Sequence, residues 1–256
     1  MLIKNIKVKR FPGYVLGYRQ PTCHFLFDWA DGGDVSNSKL EDIQEVILSK
    51  TSNFGELLVP KISGNLKDCP QEVIVFSQSL FRLQAASGDI VVENPKIIQS
   101  SSAKNSWVLI HPTFSTRLCT ALAKEYLKWF SSPKISKDEV EDSCATTIDD
   151  ASKFALQGTN NKLFVRKAIE NDIPVTLLPG KLIQYGYGFG ARIFSSSLSE
   201  QTSALSVRIA RNKIETVALL GFAGFQVPRQ ERVTSVDQAR KLAADFGFPV
   251  VLKPAA

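Results

Sequence analysis

KIETVALLGFAGFQVPRQERVTSVDQARKLAADFGFPVVLKP, Lys213 to Pro254, is the stretch around which the chain is organised. Lys213 opens a helix whose apolar residues Val217, Leu219 and Leu220 run into Gly221 and Gly224, and Pro228 then starts an extended segment. A second helix is predicted behind Ser235, whose hydroxyl can accept from the first free amides, with Ala239, Leu242, Ala243 and Phe246 spaced for one buried face. Gly247 stops that helix, and Pro249-Val250-Val251-Leu252 reads as a buried strand that delivers Lys253 at its end. Two lysines are thereby separated by helix, strand, helix and strand.

This order of elements resembles the ATP-grasp ligases, and among them the cyanophycin synthetases. The resemblance implies that Lys213 and Lys253 reach the phosphates of a bound ATP, and that Mg2+ accompanies the nucleotide. Elementary chemistry agrees, because a triphosphate calls for compact, mobile cations, and a lysine stem can stay packed while its ammonium enters a cleft. The bland alternative is two exposed lysines on an ordinary helix and strand, since lysine is mostly a surface residue. An ATP-grasp ligase continues beyond this strand into a Gly-rich covering loop and the acidic residues that hold magnesium. The expectation is therefore the N-terminal part of a ligase, truncated at Ala256 and incomplete for catalysis, with no catalytic residue assignable.

A second segment carries the same resemblance. Gly186, Gly188 and Gly190, at alternate positions and followed by Arg192-Ile193-Phe194, fit a strand, a tight turn and a returning strand better than a dinucleotide-binding strand-to-helix turn. Cyanophycin synthetases carry a similar glutamine, Gly-Tyr-Gly hairpin and returning arginine before a Thr-Ser pair. The matching positions here are Gln184, Gly186, Tyr187, Gly188, Arg192, Thr202 and Ser203. Thr202-Ser203 reads first as a helix N-cap. Free amides at a helix start also attract anions, so the resemblance implies that Gln184, Arg192, Thr202 and Ser203 bind the carboxylate or acyl-phosphate end of a substrate. A surface arginine on a hairpin is the plainer reading of Arg192.

The chain has 256 residues, 44% of them hydrophobic, enough to fill a core in one large or two modest domains. No run approaches a membrane span, and the alternating N-terminus MLIKNIKVKR is a strand pattern, not a signal peptide; the cytoplasm follows by default. Cys23, Cys69, Cys119 and Cys144 show no short spacing, which disfavours zinc and a disulfide framework and leaves them reduced. The net charge of +6 is uneven: residues 161–256 hold 13 Lys or Arg against 7 Asp or Glu, and the other 160 residues 18 of each. The excess beside the expected phosphate site suits an anionic ligand, and no basic run interleaved with aromatics indicates nucleic acid.

Strands are predicted over 2–10, 14–18 and 22–28, near 89–99 and over 105–111, and the glycine-rich run of residues 31–34 reads as a loop. Helices are expected where apolar residues recur at helical spacing: around Leu40, Ile43, Val46 and Ile47 behind a Ser36-Asn37-Ser38 cap, from Gln71 to Gly88, over Phe114 to Phe130, and from Lys162 to Asn171. The acidic segment after Pro133 reads as at most a solvated helix, and Gly158-Thr159-Asn160-Asn161 as a linker into the strand VTLL. His24 and His111 lack a carboxylate or cysteine cluster and read as satisfied structural histidines. The start LIKNIKVKRFPGYVLGYR and the helix over 114–130 are also similar to the cyanophycin synthetase N-terminal domain.

The fold class expected is α+β: an N-terminal α/β-type substrate domain over 1–158, followed over 159–256 by the first, incomplete subdomain of an ATP-grasp fold. The function implied by the resemblance is ATP-dependent joining of a carboxylate to an amine of an amino acid or peptide through an acyl phosphate, with self-association suggested by the family. The alternatives are a non-catalytic peptide- or partner-binding domain derived from such a ligase, or a plain α/β domain whose similarity is accidental.

Overall fold

The computed structural model describes residues 3–29, 37–54, 60–64, 66–100, 105–132 and 135–254. Residues 31–34, Ser36 of the expected cap, and Pro133 lie outside them. Helices and mixed sheets are both present, as an α+β chain requires, and the chain divides into two compact units, Met1–Ser197 and Leu198–Ala256. The expected boundary at 158 lies within the first of these.

A five-stranded sheet organises the first unit. Its order is β1 (Ile3–Phe11), β2 (Thr22–Trp29), β5 (Ser106–Pro112), β4 (Lys96–Gln99), β3 (Ser63–Gly64), antiparallel except for the β3–β4 pair. Gly64 has φ 108, and a Cβ there would lie 1.9 Å from the Ile97 carbonyl oxygen, so only glycine lets this short strand approach its neighbour. Helices α1 (Asn37–Lys50), α2 (Gln71–Ala86), α3 (Thr116–Ser131) and α4 (Lys137–Ser152) pack on one another, and α2 and α3 reach the sheet. Alternation along β2 sends Cys23, Phe25 and Phe27 into this core while His24 and Leu26 lie on the opposite face, where they are only partly buried. The Phe76 ring on α2 meets Phe25, Phe27 and Tyr126 at 5.2, 5.5 and 5.1 Å between centroids, all edge-on.

Several expectations need correction. Residues 14–18 are a turn, not a strand: Leu16 and Gly17 both have positive φ, and the Tyr18 amide donates to the Val15 carbonyl. The turn delivers Tyr18, Arg19 and Gln20 against residues 90–94. The Tyr18 hydroxyl donates to the Asn94 carbonyl at 2.9 Å, and the buried Gln20 side chain accepts from the Val92 and Glu93 amides while donating to the Ile90 carbonyl. Held in this way, residues 89–95 are irregular and the strand begins only at Lys96. Another correction concerns α4, which is more than a solvated helix. Ser136 and Glu139 form a capping box at its start, Val140, Cys144 and Ala151 are buried, and the pairs Lys50–Glu141 (2.9 Å) and Lys137–Glu45 (2.8 Å) tie it to α1.

Helix α5 (Thr159–Glu170) starts directly after Gly158, so Thr159 to Asn161 are helical and not linker. It packs Val165 and Ile169 with Ile90, Phe114 and Ile183 in a second, smaller core, beside the antiparallel strands β6 (Val175–Leu178), β7 (Leu182–Tyr185) and β8 (Arg192–Ser195).

Where α2, β5 and α3 converge, a buried carboxylate joins them. Asp89 Oδ1 accepts from the amides of Ile90 (3.0 Å), Phe114 (3.2 Å) and Ser115 (3.0 Å), and Oδ2 from Gln84 Nε2 (2.9 Å) and the Thr113 hydroxyl (2.5 Å). Gln84 Nε2 also donates to the Pro112 carbonyl, which leaves Oε1 to accept from His111 Nε2 at 2.5 Å. His111 is structural, as expected, but its Nδ1 is buried without a partner among the described residues.

Replacing Asp89 by alanine strands five donors, and the Asp89→Ala protein should lose at least about 3 kcal/mol in urea denaturation. Burial also pushes the His111 imidazole down from its ordinary 6.5 to about 3. Below that ordinary value the unfolded chain takes a proton that the folded chain refuses. Stability should therefore fall as the pH drops from about 6.5 toward 3, by up to about 1.4 kcal/mol per pH unit, and His111→Gln should remove this share of the slope.

Candidate functional site

The Gly-rich run forms a hairpin. β7 ends at Tyr185, a single 3-10 turn spans Gly188–Gly190, and β8 returns with Tyr185 opposite Arg192 and Gln184 opposite Ile193. Gly186 and Gly188 take φ 78 and 63, a region that glycine enters without cost. The hairpin brings Gln184 and Arg192 onto neighbouring strands, as the alternating glycines predict. Both spend hydrogen bonds on the hairpin itself. Gln184 Nε2 donates to the Gly186 carbonyl at 3.0 Å, and Arg192 Nη1 donates to the carbonyls of Ala191 (2.7 Å) and Phe189 (3.3 Å). Tyr187 and Phe189 project from the turn, Phe189 fully exposed.

The second unit holds the other four predicted residues. Ser203 caps α6 (Ala204–Arg211), its hydroxyl accepting from the Ser206 amide at 3.3 Å, and Thr202 Oγ1 accepts from the Ser199 amide at 3.1 Å, closing the turn after the two-residue strand β9 (Leu198–Ser199). Thr202 and Ser203 therefore stand side by side where α6 begins. Asn212 ends α6 and caps α7 (Lys213–Phe222), accepting from the amides of Ile214 and Glu215 at 3.1 and 3.2 Å. Lys213 is the first residue of α7, and its carbonyl accepts from Gln230 Nε2 at 3.1 Å. Its ammonium is exposed and makes no ion pair among the described residues.

Ser235 caps α8 (Val236–Phe246) and accepts from the Gln238 amide at 3.2 Å, and Gly247 ends it with φ 82. The Arg229 guanidinium lies 4.2 Å from the centroid of the Phe246 ring. The strand expected over 249–252 is absent. These residues pair with no strand among the described residues, and Val251 and Leu252 are 78% and 76% exposed. An apolar run becomes a strand only when a partner takes its backbone groups, and α8 leads to none. Lys253 follows this unpaired segment and is exposed. No described residue of the second unit is buried.

No group of three or more His, Cys, Asp or Glu able to hold a metal occurs among the described residues, and no described helix is long and apolar enough to cross a membrane. The four cysteines are free thiols, of which Cys23, Cys119 and Cys144 are buried.

No family model matches the chain. Curated proteins described as cyanophycin synthetase do match part of it, among them the three that follow. That of Geminocystis herdmanii is 32% identical over 119 residues, 46% of this chain and 14% of the relative. That of Synechocystis sp. is 30% identical over 142 residues, 55% of this chain and 15% of the relative, and that of Trichormus variabilis is 29% identical over 110 residues, 42% and 12%. The chain contains a cyanophycin synthetase-like region. The matches span between 12% and 15% of these cyanophycin synthetases.

If the Ser203 hydroxyl is what starts α6, its removal loosens the first turn by about 1 kcal/mol. In Ser203→Ala, amide exchange at Ser206 should accelerate by roughly fivefold, while Gln238 at the start of α8 keeps its rate.

Proposed function

We propose that this chain is part of an ATP-dependent ligase that joins a carboxylate to an amine, with an amino acid or peptide as substrate and an acyl phosphate as intermediate. The observation that supports it most is the 30–32% identity to cyanophycin synthetases over about half of the chain. ATP is a substrate here, supplying the phosphoryl group that activates the carboxylate; Mg2+ would accompany it.

The chain's own residues suit an anion in kind. Lys213 stands at the start of α7, where helix amides and an unpaired ammonium give positive potential, and Thr202 and Ser203 stand at the start of α6. The Asn212 side chain already takes the Ile214 and Glu215 amides, so Lys213 would meet phosphate through its ammonium. Lys253 would add a second cation, and Gln184 and Arg192 would orient the carboxylate. In this reading the protein neutralises charge and aligns reactants, and forms no covalent bond to them. Residues 1–158 would form the part that holds the peptide or amino acid.

A second reading is a non-catalytic peptide- or partner-binding domain descended from such a ligase. The unburied second unit favours it, since exposed apolar residues such as Phe222 and Phe225 suit association more than an enclosed reaction.

Mg-ATP binding separates the two. By isothermal titration, Mg-ATP should bind this chain, or a chain carrying the further length that its relatives possess, and Lys213→Met and Lys253→Met should each weaken binding by about tenfold or more. No heat of binding in either protein, with no rise in melting temperature, refutes the ligase reading and leaves the binding domain.

A further inference from the structure

A cavity of about 130 Å3 opens between α1 and α2 of the first unit, far more room than one water needs. Its aliphatic wall is Ile47, Leu48 and Pro60, and its polar side chains include Gln44, Gln78 and Arg82. Among the described residues, no acidic residue lines it. Gln78 and Arg82 are four apart on α2 and so sit one turn above the other on the same side of the helix. All three polar side chains belong to half-buried residues, and none makes a hydrogen bond or ion pair among the described residues.

These facts are unusual together. Surface arginines lose little by standing alone in water, but an arginine in a half-buried position beside an aliphatic wall has no counter-ion among the described residues. Two primary amides beside it add unused donors and acceptors. The complement of this arrangement is a molecule with one anionic group, one neutral group that both donates and accepts hydrogen bonds, and a small apolar surface. Guanidinium matches carboxylate in its planar, two-pronged geometry.

We propose that the cavity between α1 and α2 binds a small carboxylate carrying an adjacent amide, as an N-acylated amino acid does, with the carboxylate on Arg82, the amide at Gln44 and Gln78, and the apolar part on Ile47, Leu48 and Pro60. The site belongs to the first unit alone and needs no nucleotide, so its test stands apart from that of the ligase reading. The 256-residue chain is titrated with N-acetylalanine, with N-acetylalanine amide, and with inorganic phosphate, following the backbone amides of α1 and α2 by NMR. N-acetylalanine should shift these amides saturably, and the uncharged amide should bind at least about tenfold more weakly. Arg82→Gln should lose a similar factor, Arg82→Lys should recover part of it, and Gln78→Leu should weaken binding several-fold. If Arg82→Gln changes the melting temperature, the comparison of Arg82→Lys with Gln78→Leu decides in its place. The proposal is overturned if N-acetylalanine does not saturate, if phosphate or the uncharged amide binds equally well, or if none of these substitutions alters binding.

Discussion

The buried carboxylate of Asp89 is the constraint on which the first unit depends. A charge enclosed by protein is tolerated only when hydrogen bonds replace its water, and five donors do so here. One donor is the neighbouring Ile90 amide; the other four come from the last turn of α2 and from residues 113–115, which join β5 to α3, so satisfying one side chain sets three elements in register. Through Gln84 the same network holds the His111 ring, and through the backbone of Ile90 it meets the Gln20 side chain. The aromatic cluster around Phe76 adds apolar burial to the first unit, but dispersion is permissive about direction. Hydrogen bonds to an enclosed anion are not, and they specify where α3 may begin.

Much of this architecture could be read from residue spacing. The helices around Ile43, Leu80 and Leu122 follow from apolar residues at 3.6-residue intervals, because one face of each had to be buried. The glycines at 186, 188 and 190 announced a hairpin for an equally local reason, since a tight turn requires left-handed backbone. What escaped reading depended on partners distant in the chain. Residues 14–18 look apolar enough for a strand, yet Tyr18 and Gln20 are claimed by residues some seventy positions later. The acidic surface of α4 concealed the three buried residues beneath it. Pro249 to Leu252 carried the composition of a strand without a neighbouring strand among the described residues to complete it.

The site residues show the same division. Ser203, Asn212 and Ser235 were predictable as caps or lie where caps are needed, because capping is decided within four residues. Whether Lys213 and Lys253 serve one ligand is a question of distant geometry, on which local pattern is silent. Gln44, Gln78 and Arg82 drew no attention at all. Each is a polar residue beside the buried stripe of an amphipathic helix, the commonest place for a polar residue to be, and only the meeting of α1 with α2 makes them neighbours.

The strand order leaves β1 at the border of its sheet, with no strand paired to its outer side among the described residues. Lys7, Lys9 and Arg10 are exposed along it. A second molecule adding a strand there would have to bring its own copies of these cations alongside, in a setting where little solvent remains to screen them. The basic run near the N-terminus thus disfavours the pairing of two copies along this open border.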